Sequence, residues 1–183
     1  MPGISVVIPA YNYARYLPES VGSALAQKYP LFEVIVVDDG STDNTPDVLR
    51  QFGDRIRVER KDNAGLSAAR NTGIRLARHP LIAFLDADDI WEACLLENLA
   101  AILLSLPADY GMVASTHILI DEKGVPLLRR PENSATIPVD IGVRDLILKN
   151  RFSSSSVLVR RECFDLCGMF DTGRTSSEDR DMW

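Results

Sequence analysis

Apolar and polar positions along the first half of the chain predict four strands, each followed by a helix. Strands are predicted where short runs of apolar, often β-branched residues occur, and helices where apolar residues recur every three or four positions. The predicted strands are 4–9, 34–37, 56–59 and 81–85, and the predicted helices are 17–27, one beginning near 45, 65–78 and 92–105. This alternation is typical of a parallel sheet covered by helices on both faces.

The pattern changes after residue 106. Residues 112–120 and 125–128 predict two strands joined by a hairpin, because the intervening Asp121-Glu122-Lys123-Gly124 has turn-forming residues. A helix is expected near residues 141–149, a strand at 155–159 and a short helix from about residue 161. The chain is therefore predicted to be an α/β protein with a Rossmann-like, mainly parallel sheet and a mixed second half.

Composition and charge narrow the classes of protein that the pattern allows. The chain has 183 residues, 46% of them hydrophobic and 25% charged, which is typical of a single globular domain. Its net charge of -6 and its lack of a Lys/Arg cluster argue against a nucleic-acid partner. No apolar run approaches the roughly 20 residues of a membrane span, and the N-terminus lacks signal-peptide features. We therefore expect a cytoplasmic protein.

Three carboxylates lie within four residues at the end of the fourth predicted strand, in Asp86-Ala87-Asp88-Asp89. A divalent cation would relieve their repulsion, and a cation held by few protein oxygens has positions left for a substrate's phosphates. In extended geometry Asp86 and Asp88 lie on one side, so both could bind one ion. The alternative is that Asp88 or Asp89 caps the helix beginning near Trp91.

A second acidic pair, Asp38 and Asp39, ends another predicted strand, and Gly40 permits a tight turn after it. Ligands of parallel sheets bind beyond the carboxyl ends of the strands. At least one of the two carboxylates is therefore expected to face a ligand crevice, where it could accept a nucleobase N–H or a ribose hydroxyl. The pair would equally well cap the turn through Ser41 and Thr42.

Two further segments could carry chemistry. Residues 63–73 predict a helix start rich in small residues, where exposed N–H groups could approach an anion and where Gly73 indicates tight packing. Arg70 lies on this helix and could reach a nucleotide or form a surface ion pair. Ser176-Ser177-Glu178-Asp179 has the form of a helix start, and its carboxylates could alternatively take a proton from a hydroxyl.

Taken in order, five motifs closely resemble the family 2 glycosyltransferases, which have the GT-A fold. The motifs are residues 5–12, 37–43, 63–71 and 84–89, and Glu178-Asp179 with Trp183. The resemblance implies transfer of a sugar from a nucleoside diphosphate donor, usually UDP-linked, to an acceptor hydroxyl with inversion at the anomeric carbon. The acceptor would be a saccharide or a lipid-linked molecule in polysaccharide or glycolipid assembly. With such an acceptor, the protein could also associate peripherally with the inner face of a membrane.

The resemblance also implies roles on the nucleotide side of the site. Pro9, Tyr11 and Asp39 correspond to the part of the family pocket that holds the base and the ribose. Arg70 would lie beside the base or the diphosphate. Asp38, which precedes Asp39 in the chain, is a further candidate for binding the nucleotide.

Further roles concern the metal and the proton transfer. Asp88 matches the family's principal metal-binding aspartate, for Mg²⁺ or Mn²⁺, and Asp86 opens the same Asp-x-Asp motif near the ribose and the metal. Asp179 matches the general base, with Glu178 as its supporting neighbour.

The sequence stops four residues after Asp179, whereas enzymes of this family generally continue with helices that complete the acceptor side. We therefore expect one domain, with residues 1–106 as the nucleotide-sugar-binding half and 107–183 as part of the acceptor-side half. Because chain ends fray, Glu178 and Asp179 are expected to be poorly placed. The alternative is a catalytically silent nucleotide-sugar-binding module or an inactive fragment of a longer protein. A nicotinamide-dependent oxidoreductase is disfavoured because no Gly-x-Gly-x-x-Gly follows the first strand.

Overall fold

A computed structural model describes residues 1–127, 141, 153–174 and 178–182. The strands are β1 (Ile4–Ala10), β2 (Phe32–Asp38), β3 (Arg57–Arg60), β4 (Leu81–Phe84), β5 (Met112–Ala114) and β6 (Val157–Arg160). The α-helices are α1 (Leu17–Leu25), α2 (Thr45–Arg50), α3 (Leu66–Leu76), α4 (Leu95–Ser105), α5 (Glu162–Cys167) and α6 (Glu178–Met182). The helix predicted near residues 141–149 and the helix cap predicted at Ser176 lie outside the described residues.

The six strands form one sheet in the order β3-β2-β1-β4-β6-β5. Strand β1 pairs in parallel with β2 and β4, and β2 pairs in parallel with β3. Strand β6 is antiparallel to both β4 and β5. The predicted α/β class with a mainly parallel sheet and a mixed second half is therefore confirmed. Parallel pairing also brings the carboxyl ends of β1 to β4 to one edge of the sheet.

Two hydrophobic clusters cover the two faces of the sheet. Because side chains alternate along a strand, Val6 and Ile8 face one cluster, which includes residues of α1, α2 and α4. Val7 faces the other cluster, which includes residues of α3 and α5. Strand β1 is buried along its whole length, which explains its uninterrupted apolar sequence. In the described part of the chain, no helix has both the length and the apolar character that crossing a bilayer requires.

The predicted hairpin of the second half is only partly present. Strand β5 covers Met112–Ala114 alone and pairs with β6, not with the segment that follows the turn. The turn itself forms, since the Asp121 N–H donates to the Val125 carbonyl at 2.8 Å and Ile120 forms a single bridge with Pro126. The prediction of a strand over 112–120 was wrong because an apolar run does not show which partner strand it will pair with.

Helix α4 begins at Leu95, later than predicted, because tertiary hydrogen bonds hold the preceding residues outside a helix. The Gln27 side chain donates through Nε2 to the Glu92 carbonyl at 2.8 Å and accepts the Leu96 N–H at 3.0 Å. The residue that precedes α4 makes no side-chain capping hydrogen bond. The helix start is therefore too far along the chain for Asp88 or Asp89 to be its cap, and the capping alternative is wrong.

The close packing that Gly73 indicated is present between α3 and β1. A Cβ atom added at Gly73 would lie 2.9 Å from Cγ2 of Val7, whose side chain is fully buried in the centre of the sheet. We expect Gly73→Ala to destabilise the protein by about 1–3 kcal/mol, because overpacking outweighs the gain in helix propensity. Thermal unfolding should show a fall of roughly 2–12 °C in Tm.

Gly22 in α1 provides the matched control for this substitution, because a Cβ atom there would meet no atom within 4 Å. Gly22→Ala should leave the Tm unchanged or raise it slightly, since alanine favours the helix. Equal Tm values for the two variants would show that α3 does not pack tightly on β1.

Candidate functional site

The sequence-predicted site residues that follow β1, β2 and β4 lie at one edge of the sheet. Asp38 is the last residue of β2 and Asp39 the next, while Asp86 comes two residues after β4. Strands β2 and β4 flank β1, so about 10 Å separates them, which is two strand spacings. Pro9 is buried within β1, opposite Val37 of β2. The two acidic motifs therefore end on the same side of the molecule, within the span of a nucleotide.

Asp38 caps the turn after β2. Its Oδ1 accepts the Ser41 N–H at 2.9 Å, and its Oδ2 lies 3.3 Å from the Arg60 guanidinium. The side chain is only 1% exposed. Gly40 in this turn has φ of +81°, and a Cβ there would lie 2.8 Å from the Asn63 nitrogen, so glycine is required. Of the two interpretations of this residue, turn capping matches the contacts that Asp38 makes.

Asp39 binds the start of α3. Its carboxylate forms an ion pair with Lys61 and accepts the N–H groups of Gly65 at 2.8 Å and Ala64 at 3.1 Å. The anion at this helix start is thus a side chain of the protein itself. The Asp39 side chain is 4% exposed and that of Lys61 is 24% exposed. The Asp39 carboxylate is therefore buried against the start of α3, and Lys61 is the more exposed member of the pair.

The loop after β1 is bonded to the loop after β2 through Asn12. The side-chain Oδ1 of Asn12 accepts the Thr42 N–H at 2.8 Å, and its backbone N–H donates to Ser41 Oγ at 2.9 Å. Asn12 has φ of +60°, a conformation that asparagine adopts more readily than most residues. These bonds hold its neighbours Tyr11 and Tyr13 at the edge of the sheet, and Tyr11 is 44% exposed. Sequence reasoning missed Asn12, although an asparagine two residues after a strand is a usable signal for such a turn.

Asp86 and Asp89 close a turn, because the Asp89 N–H donates to the Asp86 carbonyl at 3.0 Å. Strand β4 has already ended at Phe84, so the prediction that extended geometry puts Asp86 and Asp88 on one side was wrong. Asp88 is exposed, whereas the Asp86 side chain is 28% exposed. The negative charge of Asp88, followed by burial and the charge of Asp86, raises the pKa of Tyr13. The negative charges of Asp86 and Asp88 therefore both act on the Tyr13 hydroxyl.

Ser155, which precedes β6, supports the same turn and was not found by sequence reasoning. Its Oγ accepts the Asp86 N–H at 2.9 Å, and its carbonyl accepts the Trp91 indole N–H at 2.6 Å. Burial, together with the charges of Asp86 and Asp88, raises the pKa of Asp89, although a hydrogen bond to Ser155 acts in the opposite direction. No local motif marks Ser155, because its partners lie 64 and 69 residues away in the sequence.

The donor atoms at this turn fit a Mg²⁺ or Mn²⁺ ion that is shared with a ligand. Within residues 1–127, 141, 153–174 and 178–182, no three Asp, Glu, His or Cys side chains converge as a metal site. Asp88 nevertheless offers an exposed carboxylate, and Asp86 lies beside it with one oxygen engaged by Arg70. Hard divalent cations prefer oxygen ligands and often take only one or two carboxylates together with substrate phosphates. Asp88 and Asp86 are therefore the residues at this turn that could hold such a cation.

Arg70 lies at the centre of an ion-pair network that joins this turn to α6. Its Nη2 donates to Asp86 Oδ1 at 2.8 Å and its Nη1 to Glu178 Oε1 at 2.9 Å. The Arg70 side chain is 2% exposed, so the alternative of a surface ion pair is wrong. Glu178 is held by this part-buried contact, whereas the expectation that Glu178 and Asp179 are poorly placed for proton transfer stays a prediction. Asp179 follows Glu178 in α6 and is half-buried.

Comparison with solved structures identifies the fold as that of the GT-A glycosyltransferases. TarS of S. aureus in complex with UDP-GlcNAc matches with a TM-score of 0.74 and 25% identity, over 98% of this chain and 51% of the TarS chain. The mannosyltransferase PcManGT of Pyrobaculum calidifontis in complex with GDP-Man and Mn²⁺ matches with a TM-score of 0.71 and 23% identity, over 99% of this chain and 50% of PcManGT.

At the sequence level, the family model of glycosyl transferase family 2 matches residues 5–168. The chain therefore belongs to glycosyl transferase family 2. An uncharacterized glycosyltransferase of Rickettsia felis is 34% identical over 186 residues, which cover 100% of this chain and 31% of the relative. The chain thus spans about a third of the length of that relative.

Proposed function

We propose that the protein transfers a sugar from a nucleoside diphosphate donor, UDP-linked in the first instance, to the hydroxyl of a saccharide or lipid-linked acceptor. The observation that supports this function best is that Asp39 and the exposed Asp88 lie at one edge of the sheet. An ion pair with Arg70 holds the helix that contains Glu178 and Asp179 beside the same edge. Family membership and a solved neighbour that holds UDP-GlcNAc support the same function.

The nucleoside would lie across the ends of β1 and β2, in the half formed by residues 1–106. Tyr11 offers an exposed aromatic face, and the buried Pro9 would form part of the floor on which the nucleoside lies. The Asp39 carboxylate and the Lys61 ammonium place a hydrogen-bond acceptor beside a donor, which is the pattern needed for an N–H group next to a carbonyl on a base. Asp38 would act indirectly, by keeping the turn after β2 in shape.

The diphosphate would lie beside the turn that contains Asp86 and Asp88. Asp88 would hold a Mg²⁺ or Mn²⁺ ion, with Asp86 next to it, and the cation would neutralise charge on the departing diphosphate. A fold neighbour in complex with GDP-Man and Mn²⁺ supports a divalent cation beside the donor.

Residues 107–183 would form part of the acceptor side. Asp179 would accept the proton of the acceptor hydroxyl as that oxygen attacks the anomeric carbon from the face opposite the diphosphate, so that the configuration inverts. Glu178, held by Arg70, would fix the start of α6 and thereby the position of Asp179.

Thermal unfolding with UDP, GDP, dTDP and their sugars, each with and without Mn²⁺, tests the proposed donor class. Selective binding at a hundredfold excess over Kd stabilises the folded protein by about 2.7 kcal/mol. For a chain of this size the Tm should rise by roughly 5–10 °C. We expect this rise with UDP or UDP-sugars only when Mn²⁺ is present. An unchanged Tm with every nucleotide would contradict the proposal.

A further inference from the structure

We propose that Arg70 is a positioning residue that couples the donor side of the site to the acceptor side, and that it does not contact the donor. This inference rests on the proposed glycosyl transfer and deepens it. It differs from the role that family resemblance implies for Arg70, which is contact with the base or the diphosphate.

Burial of the guanidinium favours positioning over donor contact. The Arg70 side chain is 2% exposed, and its two terminal nitrogens already donate to Asp86 and Glu178 at 2.8 and 2.9 Å. The guanidinium carbon lies 5.3 Å from the centroid of the Phe170 ring, which stacks against it. A donor could reach this group only if the protein released Asp86 or Glu178.

The next residue of α3, Asn71, strengthens the same connection. Its side-chain Nδ2 donates to the Phe170 carbonyl at 2.8 Å, and its Oδ1 accepts the Phe170 N–H at 3.0 Å. The Phe170 ring also packs edge-to-face on Phe84 of β4, with 5.5 Å between the ring centroids. Arg70 and Asn71 therefore fix, from one turn of α3, both the segment before α6 and the first residue of α6.

The planar fork of arginine is essential to this arrangement. Its two terminal nitrogens bind two carboxylates that lie 92 residues apart in sequence, one after β4 and one in α6. A lysine carries the same charge on a single nitrogen and cannot reproduce both bonds in this geometry. Because Asp86 shares its turn with Asp88, the fork sets where α6 lies relative to the proposed cation and diphosphate.

The test uses Arg70→Lys and Glu178→Gln in the full chain, with Arg75→Lys as the matched control. Arg75 is exposed on the same helix and bonds only to Thr72 within the described contacts. The readouts are hydrogen exchange of the amides in 178–182, the Kd of UDP with Mn²⁺, and kcat and KM for donor turnover.

If Arg70 positions α6, Arg70→Lys should raise amide exchange in 178–182 by about tenfold and lower kcat by at least about tenfold. In Arg70→Lys, the Kd of UDP and the KM of the donor should stay within about threefold of the wild-type values. Arg75→Lys should change neither the amide exchange in 178–182 nor kcat. Arg70→Lys should add less to the loss of kcat in the Glu178→Gln background than in the wild type, because both variants break one contact.

A tenfold weaker UDP affinity with unchanged exchange would overturn the proposal in favour of donor contact. A lower Tm with unchanged kcat per folded molecule would overturn it in favour of a purely structural role. Should the wild type neither bind a nucleotide nor turn over a donor, the proposed function would fail. The exchange measurement would still show whether Arg70 holds α6.

Discussion

Asp179→Asn in the full-length protein should lower kcat for sugar transfer by about 10²–10⁴-fold, the range typical of losing a general base. The amide keeps the size of the side chain but cannot accept the proton of the acceptor hydroxyl. Affinity for UDP with Mn²⁺ should remain within about threefold of the wild type, because the proposed nucleotide contacts lie beyond the ends of β1, β2 and β4. Steady-state kinetics and calorimetric titration of UDP measure the two quantities.

The matched control is Asp181→Asn, two residues further along α6. Asp181 pairs with Arg174 at 2.7 Å through side chains that are 36% and 50% exposed, so its loss should change stability by less than about 1 kcal/mol and leave kcat nearly unchanged. Equal losses of kcat in both variants would indicate that α6 is merely perturbed. If full-length protein binds UDP but turns over no donor even as wild type, a silent nucleotide-sugar-binding module would be the better description.

Asp88→Asn is expected to lower kcat/KM for the donor by about 10²–10³-fold, because the cation is expected to contribute several kcal/mol through this carboxylate. The Tm of the unliganded protein should not fall, since the substitution removes one of three neighbouring negative charges. The increase in Tm that Mn²⁺ adds in the presence of UDP should disappear. Kinetics and thermal unfolding check these two effects together.

Asp89→Asn is the matched control within the same turn. Asp89 is half-buried and hydrogen-bonded to Ser155, so it is less available to an ion than the exposed Asp88. We expect its effect on kcat/KM to be at least about tenfold smaller than that of Asp88→Asn. A larger loss of kcat/KM in Asp89→Asn than in Asp88→Asn would show that Asp89, not Asp88, holds the cation.

Much of the fold could be predicted from the sequence because local signals were strong. The apolar β-branched runs of β1 and β2 are buried on both faces of the sheet, and such runs have few alternatives to a central parallel strand. The length of β5 and its pairing partner could not be predicted, because both depend on β6, which lies about 45 residues later. The predicted start of α4 was wrong for a similar reason, since a hydrogen bond from the distant Gln27 side chain holds Glu92 outside the helix.

The candidate site divides in the same way. Motif order was sufficient to indicate the family and the acidic turn after β4. Contacts between distant residues were not predictable, and they changed the interpretation of Arg70 most. Its partners Asp86 and Glu178 lie 16 and 108 residues away, so spacing along the chain could not show that one buried guanidinium joins both. Asp39 likewise differs from the simple picture of an open ligand carboxylate, because Lys61 and the start of α3 already bind it.

The central claim is that a cation and a nucleoside diphosphate share the edge of the sheet between Asp39 and Asp88. Paramagnetic broadening of backbone amide signals by Mn²⁺, recorded with and without UDP, tests it most directly. With UDP present, the account predicts strong broadening at residues 86–89 and at the loop containing Tyr11 and Tyr13, and loss of this broadening in Asp88→Asn. Broadening centred elsewhere, or the same broadening in Asp88→Asn as in the wild type, would contradict it.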